Sequence, residues 1–487
     1  MKQKKLRMTG VAYQQFKEHL FPGDGCEAVA FALCGSLETE NESIFTVHSA
    51  YLYPHDKCTV RHGDRVEWSP AEIVDLFDQC RKKDFRLLKI HSHPEYWPHF
   101  SKVDDHSDRD LAETLSGWIG REEDLCSVIM LPDGSMIGRA IDHQGNFSSL
   151  QSIIVIGDKI SCFSDSDHED GESGDDVFEE DIHLRTRQAF GEGTTRLLKK
   201  LKIGVVGCSG TGSIVVENLA RLGVGSLVLI DHDNVEFKNI NRILNSTLED
   251  ARKGIPKVEM LKTAIVSMGL DVEVTAVSCS LHSAKAYYEI AGCDIVFGCM
   301  DTIDGRHLLN RIATYFCSAY FDVGIRLDAD GTGGINEVMG RVDYLQPGRS
   351  SLLSRGRFTL DQLKSADLAR TDPAEHKKQV NEGYIKSANV ESPAVISINM
   401  IFSSMAVTEM LARLHPFRDC NNAKYASITF SVSGFLLIHE GEGKIDNDLE
   451  QRIGLGHRKP ILDSPMLINP VINEADVIHQ KNSKVLV

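Results

Sequence analysis

None of the twelve cysteines in this 487-residue chain belongs to a Cys-x-x-Cys pair. That absence excludes the commonest cysteine-built zinc clusters and the dithiol redox motif. Several cysteines, Cys34 and Cys126 among them, sit inside apolar runs and read as reduced, buried small hydrophobes of a cytoplasmic protein. No apolar run approaches the ~18 residues that a membrane span needs. The basic residues 1–7 lead into residues 11–20, which carry Gln, Lys, Glu and His where a secretory leader would be apolar. Positive charge is also scarce: 53 Lys and Arg stand against 70 Asp and Glu, a net charge of -17. That balance repels nucleic-acid phosphates at long range, so neither nucleic acid nor membrane is expected as a partner.

What is present is an ordinary globular composition, 42% hydrophobic and 25% charged, over a length that suits two to four domains. The acidic excess is local. Ten acidic residues and no Lys or Arg lie between Asp165 and Asp181, among Ser and Gly. Such a segment repels itself and buries too little to order, so residues 161–182 read as a flexible linker. Residues 1–160 then form one domain and residues 183–445 another, followed by a polar tail over 446–487. The first domain reads α+β, with helical spacing at 11–20, 71–81 and 111–119 and strands at 27–33, 45–53, 86–90, 127–131 and 136–141. The second alternates strand and helix from residue 203 onward, the pattern of a mainly parallel sheet with crossover helices. Residues 347–390 are polar with no clean strand, and 393–411 are apolar and helical.

Two constellations carry chemistry. Residues 91–104 read HSHPEYWPHFSKVD. On a strand, His91 and His93 share a face, and Asp104 opens the following helix. Two His and one Asp supply three ligands and leave a fourth tetrahedral position open, the mark of catalytic zinc. Zinc lowers the pKa of bound water toward ~7. Glu27 is placed to take up and return that proton, and Ser101 to donate to an oxyanion. His99, Asp105 and His106 compete as ligands on spacing alone. The whole pattern, Glu27 followed by His91-x-His93-Pro94 and Ser101-x-x-Asp104, resembles the JAMM (JAB/MPN) metalloisopeptidases over roughly the first 150 residues. The resemblance implies a cytidine-deaminase-like α+β fold and zinc on His91, His93 and Asp104. It implies Glu27 as acid/base, Ser101 as oxyanion donor, and as substrate the bond after the C-terminal glycine of a ubiquitin-like protein.

The second constellation begins at residues 203–213, IGVVGCSGTGS. Gly207, Gly210 and Gly212 lie between a strand and a helix, where backbone N–H groups cradle phosphates. Asp231 ends the next strand, at the place of a ribose-binding carboxylate. The dinucleotide fingerprint fails at its middle position, Ser209, and nothing downstream resembles a hydride-transfer site, so an NAD-dependent oxidoreductase is the lesser reading. Beyond Asp231 come DHDNVEFKNINR, GIPKVE and CMDTIDGR. Arg242 and Lys257 are cations for a triphosphate, and Asp301 is a carboxylate for magnesium.

These motifs resemble the ThiF/MoeB and ubiquitin-activating adenylation domains, from about Leu184 to Leu411, and imply a Rossmann-like fold. The resemblance implies ATP and magnesium as cofactors, with Asp231 on ribose, Arg242 and Lys257 on the triphosphate, Asp301 on the metal, and Asn239 at a further family position. Arg187, in an Arg-Gln pair, corresponds to the family arginine that reaches into a partner's site, and so implies a homodimer. No cysteine lies between Cys317 and Cys420, so adenylation is expected without a thioester on the crossover segment. Cys420 is the remaining candidate, while Cys208, Cys299 and Cys317 read as buried. The joint reading is a two-headed α/β enzyme of a bacterial ubiquitin-like pathway. One head trims or deconjugates a protein tail and the other adenylates it, with a conjugating enzyme as a possible further partner. Sulfur-carrier activation and a nucleotide-binding scaffold are the alternatives.

Overall fold

The computed structural model describes residues 2–120, 124–164, 182–382 and 393–463. In the first half, strands β1 (Gln3–Thr9), β2 (Val29–Glu38), β3 (Glu42–Leu52), β4 (Val60–His62), β5 (Arg65–Glu67), β6 (Arg86–Ser92), β7 (Leu125–Met130), β8 (Met136–Ile141), β9 (Phe147–Ser149), β10 (Ser152–Ile156) and β11 (Ile160–Phe163) accompany helices α1 (Gly10–Leu20), α2 (Val74–Lys83) and α3 (Lys102–Ile119). Nine of these strands form one mixed sheet in the order β11-β10-β1-β3-β2-β6-β7-β8-β9, and β4 and β5 pair separately. Alternation along the central strands divides the core. Leu6, Met8, Leu88 and Ile90 face Phe16 and Leu20 of α1, and Phe31, Leu33 and Leu87 face α2 and the Leu111, Leu115 and Ile119 stripe of α3.

The second half holds α4 (Leu184–Lys200), β12 (Lys202–Val206), α5 (Gly210–Leu222), β13 (Ser226–Ile230), α6 (Leu248–Lys253), α7 (Lys257–Ser267), β14 (Glu273–Val277), α8 (Ala284–Ala291), β15 (Ile295–Gly298), α9 (Ile303–Tyr315), β16 (Ala319–Ala329), β17 (Ile335–Leu345), α10 (Leu360–Thr371), α11 (Pro373–Asn381), α12 (Ile396–Leu414), β18 (Ser427–Ser431), β19 (Leu436–Glu440) and α13 (Asn447–Glu450). Its eight-stranded sheet runs β14-β13-β12-β15-β16-β17-β18-β19. The first five strands in that order are parallel and the last three join antiparallel. The central parallel strands β12, β13 and β15 are apolar apart from the leading Lys202 and Ser226, as strands covered by helices on both faces are.

Several expectations need correction. No element was assigned to the basic residues 1–7, yet Gln3–Thr9 is an interior strand whose Lys5 and Arg7 are buried against carboxylates. The linker does not begin at 161, since Ile160–Phe163 pairs with β10. The rest of that expectation, residues 165–181, lies outside the described residues. The tail does not begin at 446: Asp446 caps α13, and residues 452–463 pack on both halves. Residues 464–487 lie outside the described residues. The second sheet is parallel where strand and helix alternate, from β12 to β16, and becomes mixed where the antiparallel strands β17 to β19 extend it. The polar stretch after Pro347 contains the helices α10 and α11.

The two halves share a buried face. Arg7 donates to the carbonyls of Ala291 and Gly292 and to Asp294 Oδ1 at 2.9 Å. Glu42 accepts from Lys5 at 2.8 Å and from Lys202 at 3.0 Å. Ile154, Ile156 and Ile160 lie in the apolar core of the second half. Residues 453–457 act as a strap: Gly454 O accepts from Gly35 N and Thr46 Oγ1, and Gly454 N donates to Thr314 O. These contacts meet the N-terminal ends of β12, β15 and β16.

Candidate functional site

His91 and His93 stand at the end of β6 on the face covered by α3. The helix starts with a capping box: Ser101 Oγ accepts from Asp104 N at 3.1 Å, and Asp104 Oδ2 accepts from Ser101 N at 2.8 Å. This box turns Asp104 toward the strand. His91 Nε2 lies 3.0 Å from Asp104 Oδ1 and 3.1 Å from His93 Nε2. His93 Nε2 lies 3.7 Å from Asp104 Oδ2 and 4.0 Å from Glu27 Oε1. His93 Nδ1 lies 2.7 Å from Trp97 O. A proton on that nitrogen leaves the Nε2 lone pair for a ligand role. Ser92, between the two histidines, faces the other way. Its hydroxyl accepts from Ala28 N at 2.9 Å, which anchors the chain just after Glu27.

The electrostatics of His91 and Asp104 suit a cation, while at His93 burial is outweighed by the hydrogen bonds to Asp104 and Trp97, which raise its pKa. Burial lowers the His91 pKa, only partly offset by Asp104, and so favours the neutral ligand form. Burial also works against charge on Asp104, but His91 and hydrogen bonds from His91, His93 and Ser101 overcome it and hold that carboxyl well below its usual range. Burial dominates at Glu27 and, against the pull of His93, pushes its carboxyl up to about 7. The three donors therefore fit a divalent ion in number, type and convergence, their ligand atoms all lying within 4.8 Å of one another.

In the second half the glycine turn follows β12. Gly207 has φ +89°, and a Cβ there would lie 2.7 Å from Cys299 O. A Cβ at Gly212 would lie 1.8 Å from Gly207 O. Only glycine allows this close approach of turn, helix start and the strand end that leads to Asp301. A Cβ at Gly210 would meet Arg242 Cδ at 3.2 Å, so Arg242 lies against the start of α5. Asp231 Oδ2 accepts from Cys208 N at 2.7 Å, and its Oδ1 accepts from Asp233 N at 2.9 Å. Lys257 is buried and donates to Asp233 Oδ2 at 2.7 Å. Turn, Asp231, Asp233 and Lys257 thus form one bonded chain at the C-terminal end of the parallel strands, where open α/β sheets bind ligands.

The sequence profile of the ThiF family matches residues 183–438, just over half of the chain. The chain belongs to the ThiF family. Among curated relatives, the ThiF half is similar to ubiquitin-like modifier-activating enzyme 5 of Caenorhabditis briggsae, at 26% identity over 31% of this chain and 34% of that protein. It is similar to the SAMP-activating enzyme E1 of Haloferax volcanii, at 32% identity over 27% of this chain and 48% of that protein. It is also similar to the tRNA threonylcarbamoyladenosine dehydratase of Bacillus subtilis, at 35% identity over 24% of this chain and 46% of that protein. The chain therefore spans between about a third and a half of the length of these relatives. A solved structure of E. coli MccB with ATP is 15% identical, covering 56% of this chain and 74% of that one, with a TM-score of 0.41.

Not every expected residue is free for its expected role. The Ser101 hydroxyl, expected to serve an oxyanion, donates to Asp104 Oδ2 at 2.7 Å and so orients that carboxylate. Asn239 is buried, and its side chain accepts from Glu236 N at 3.1 Å, closing the turn that carries Arg242. Asp301 is exposed just past β15. Arg187 is half-buried in α4, before the break at Gly191. Cys208 and Cys317 are buried, Cys299 is half-buried, and burial pushes all three thiols up. Cys420 is exposed. Sequence reasoning missed Asp233, the partner of Lys257. The only signal for it was the i, i+2 spacing from Asp231 after a strand. Among the described residues no helix is long and apolar enough to cross a membrane.

Proposed function

We propose that the ThiF half adenylates the C-terminal glycine of a ubiquitin-like protein, and that the first half hydrolyses the bond after that glycine. The observation that carries the adenylation reading is the bonded chain from the glycine turn through Asp231 and Asp233 to Lys257, with Arg242 beside it. In the reaction, a carboxylate oxygen of the tail attacks the α-phosphorus of ATP and pyrophosphate leaves. Arg242 offsets charge at the phosphates. Lys257 exchanges Asp233 for a phosphate oxygen, and Asp231 takes the ribose hydroxyls. Asp301 would hold magnesium. Arg187 is the residue through which a second copy would complete the site, which makes a homodimer the expected assembly.

In the first half, His91, His93 and Asp104 would hold zinc, which polarises a carbonyl and acidifies water when bound. Glu27, with its raised pKa, takes the proton of the attacking water and returns it to the leaving amine. The absence of cysteine between Cys317 and Cys420 favours one variant: the adenylate passes directly to its acceptor, as in sulfur-carrier activation.

The test uses the intact chain and a small ubiquitin-like protein ending in Gly-Gly. ATP–pyrophosphate exchange should depend on that protein and disappear in Asp301→Ala. The chain should carry about one zinc, lost in His91→Ala. Exchange that survives Asp301→Ala, or zinc content that ignores His91, sinks the corresponding half of the reading.

A further inference from the structure

Beneath the metal site lies a second, fully buried set of charges. Lys89, His91 and His93 alternate along β6 and so share one face. Asp104 and Asp108 are one turn apart on α3. Lys89 Nζ donates to Asp108 Oδ1 at 2.7 Å, while His91 lies 3.0 Å from Asp104. Two residues along a strand span ~6.6 Å and four along a helix ~6 Å, so strand and helix meet as two matched rungs. The upper rung is the ligand set and the lower is an ion pair.

A third residue locks the lower rung. Lys89 is in register with Ser127 of β7, and Ser127 with Arg139 of β8. Arg139 donates to Asp108 Oδ2 from both Nε (3.1 Å) and an NH2 (2.7 Å), and pairs with Asp105. Its guanidinium lies 3.8 Å from the ring centre of Phe100, the residue before the Ser101 cap. Asp108 is 0% exposed, Lys89 3% and Arg139 7%. A buried ion cluster of this kind adds little net stability over apolar packing, but it tolerates only one register.

We propose that Lys89, Asp108 and Arg139 form a positioning triad that presets the metal centre, holding Asp104 against His91 and His93 before an ion arrives. The inference rests on the zinc reading of the first half and names residues outside the ligand set. None of the three touches the reacting atoms.

The test titrates the intact chain with Co²⁺ and reads both affinity and the visible spectrum of the bound ion. Asp108→Asn and Lys89→Met should each weaken Co²⁺ binding by about 10–100-fold and alter the spectrum. Asp108→Glu, which keeps the charge, should recover part of both. Variants that melt earlier yet bind with unchanged affinity and spectrum overturn the triad and leave a structural ion pair. If Asp108→Asn does not fold, Arg139→Lys decides: it keeps the charge and loses the fork, and an unchanged spectrum overturns the proposal. An unmodified chain that takes up no Co²⁺ overturns the zinc reading itself, whereas uptake with unaffected variants overturns only the triad.

Discussion

Glu27 sits 4.0 Å from His93 but in no ligand set, and that separation makes its role testable apart from metal binding. Glu27→Gln preserves shape and removes the carboxylate proposed as the base. Release of a C-terminal extension from the cognate tail protein should fall on the order of 10²–10⁴-fold, with zinc content unchanged by metal analysis. Loss of zinc would instead make Glu27 a ligand. At this scale the convergence of His91, His93 and Asp104 was legible, because its geometry is local: an i, i+2 pair on a strand and a capped helix start. Ser101 shows where legibility stops. Its position was readable, but whether its proton served an oxyanion or Asp104 depended on the closed capping box. Lys257 likewise read as a phosphate ligand, and its bond to Asp233 required two loops to meet.

Elements joined by distant sequence were the hardest to anticipate. β1 did not read as a strand because Lys5 and Arg7 are charged, and their partners Glu42, Ala291 and Asp294 are supplied by other parts of the chain. The strand alternates, with Leu6 and Met8 on an apolar face and Lys5 and Arg7 on a buried ionic one, and the second face defeats a hydrophobic pattern. β16 and β17 were missed for a similar reason: Asp322 and Asp343 face each other across the pair and are buried with arginines. The strap at 453–457 hid within a polar tail because backbone, not side chains, makes most of its bonds. Gly454 has φ +61°, and a Cβ there would lie 2.1 Å from Val47 O. Gly454→Ala should therefore cost about 3 kcal/mol in denaturant unfolding. Gly269→Ala, with φ +67° and open space around it, should cost only about 1 kcal/mol. Equal losses would mean that strain alone, not the close approach, matters at the strap.

For the molecule as a whole, the halves are docked rather than strung on a tether. The parallel-sheet motifs and the metal motif were each legible, because each lies within one half, whereas the face between them is built from pairs that no local pattern encodes. Glu42 gives that face a pH signature. Burial pushes its carboxyl up, but Lys5 and Lys202 more than offset this and bring it down to about 2. A depressed carboxyl stabilises the fold at pH values above its unfolded pKa, and the contribution disappears as pH falls from about 4.5 toward about 2. Integrated over that range it is about 3 kcal/mol. The urea midpoint of the intact chain should fall more steeply from about pH 4.5 toward about pH 2 than that of Glu42→Gln. Matching slopes would remove Glu42 from the account.

The docking face and the glycine turn lie at opposite ends of the same strands. The N-terminal ends of β12 and β15 rest on the first half, while the glycine turn and Asp301 lie at the opposite ends, about 13 Å away along a four-residue strand. A substitution at the docking face is thus a strand's length from the turn, and would act on the stability of the chain before it acted on nucleotide binding.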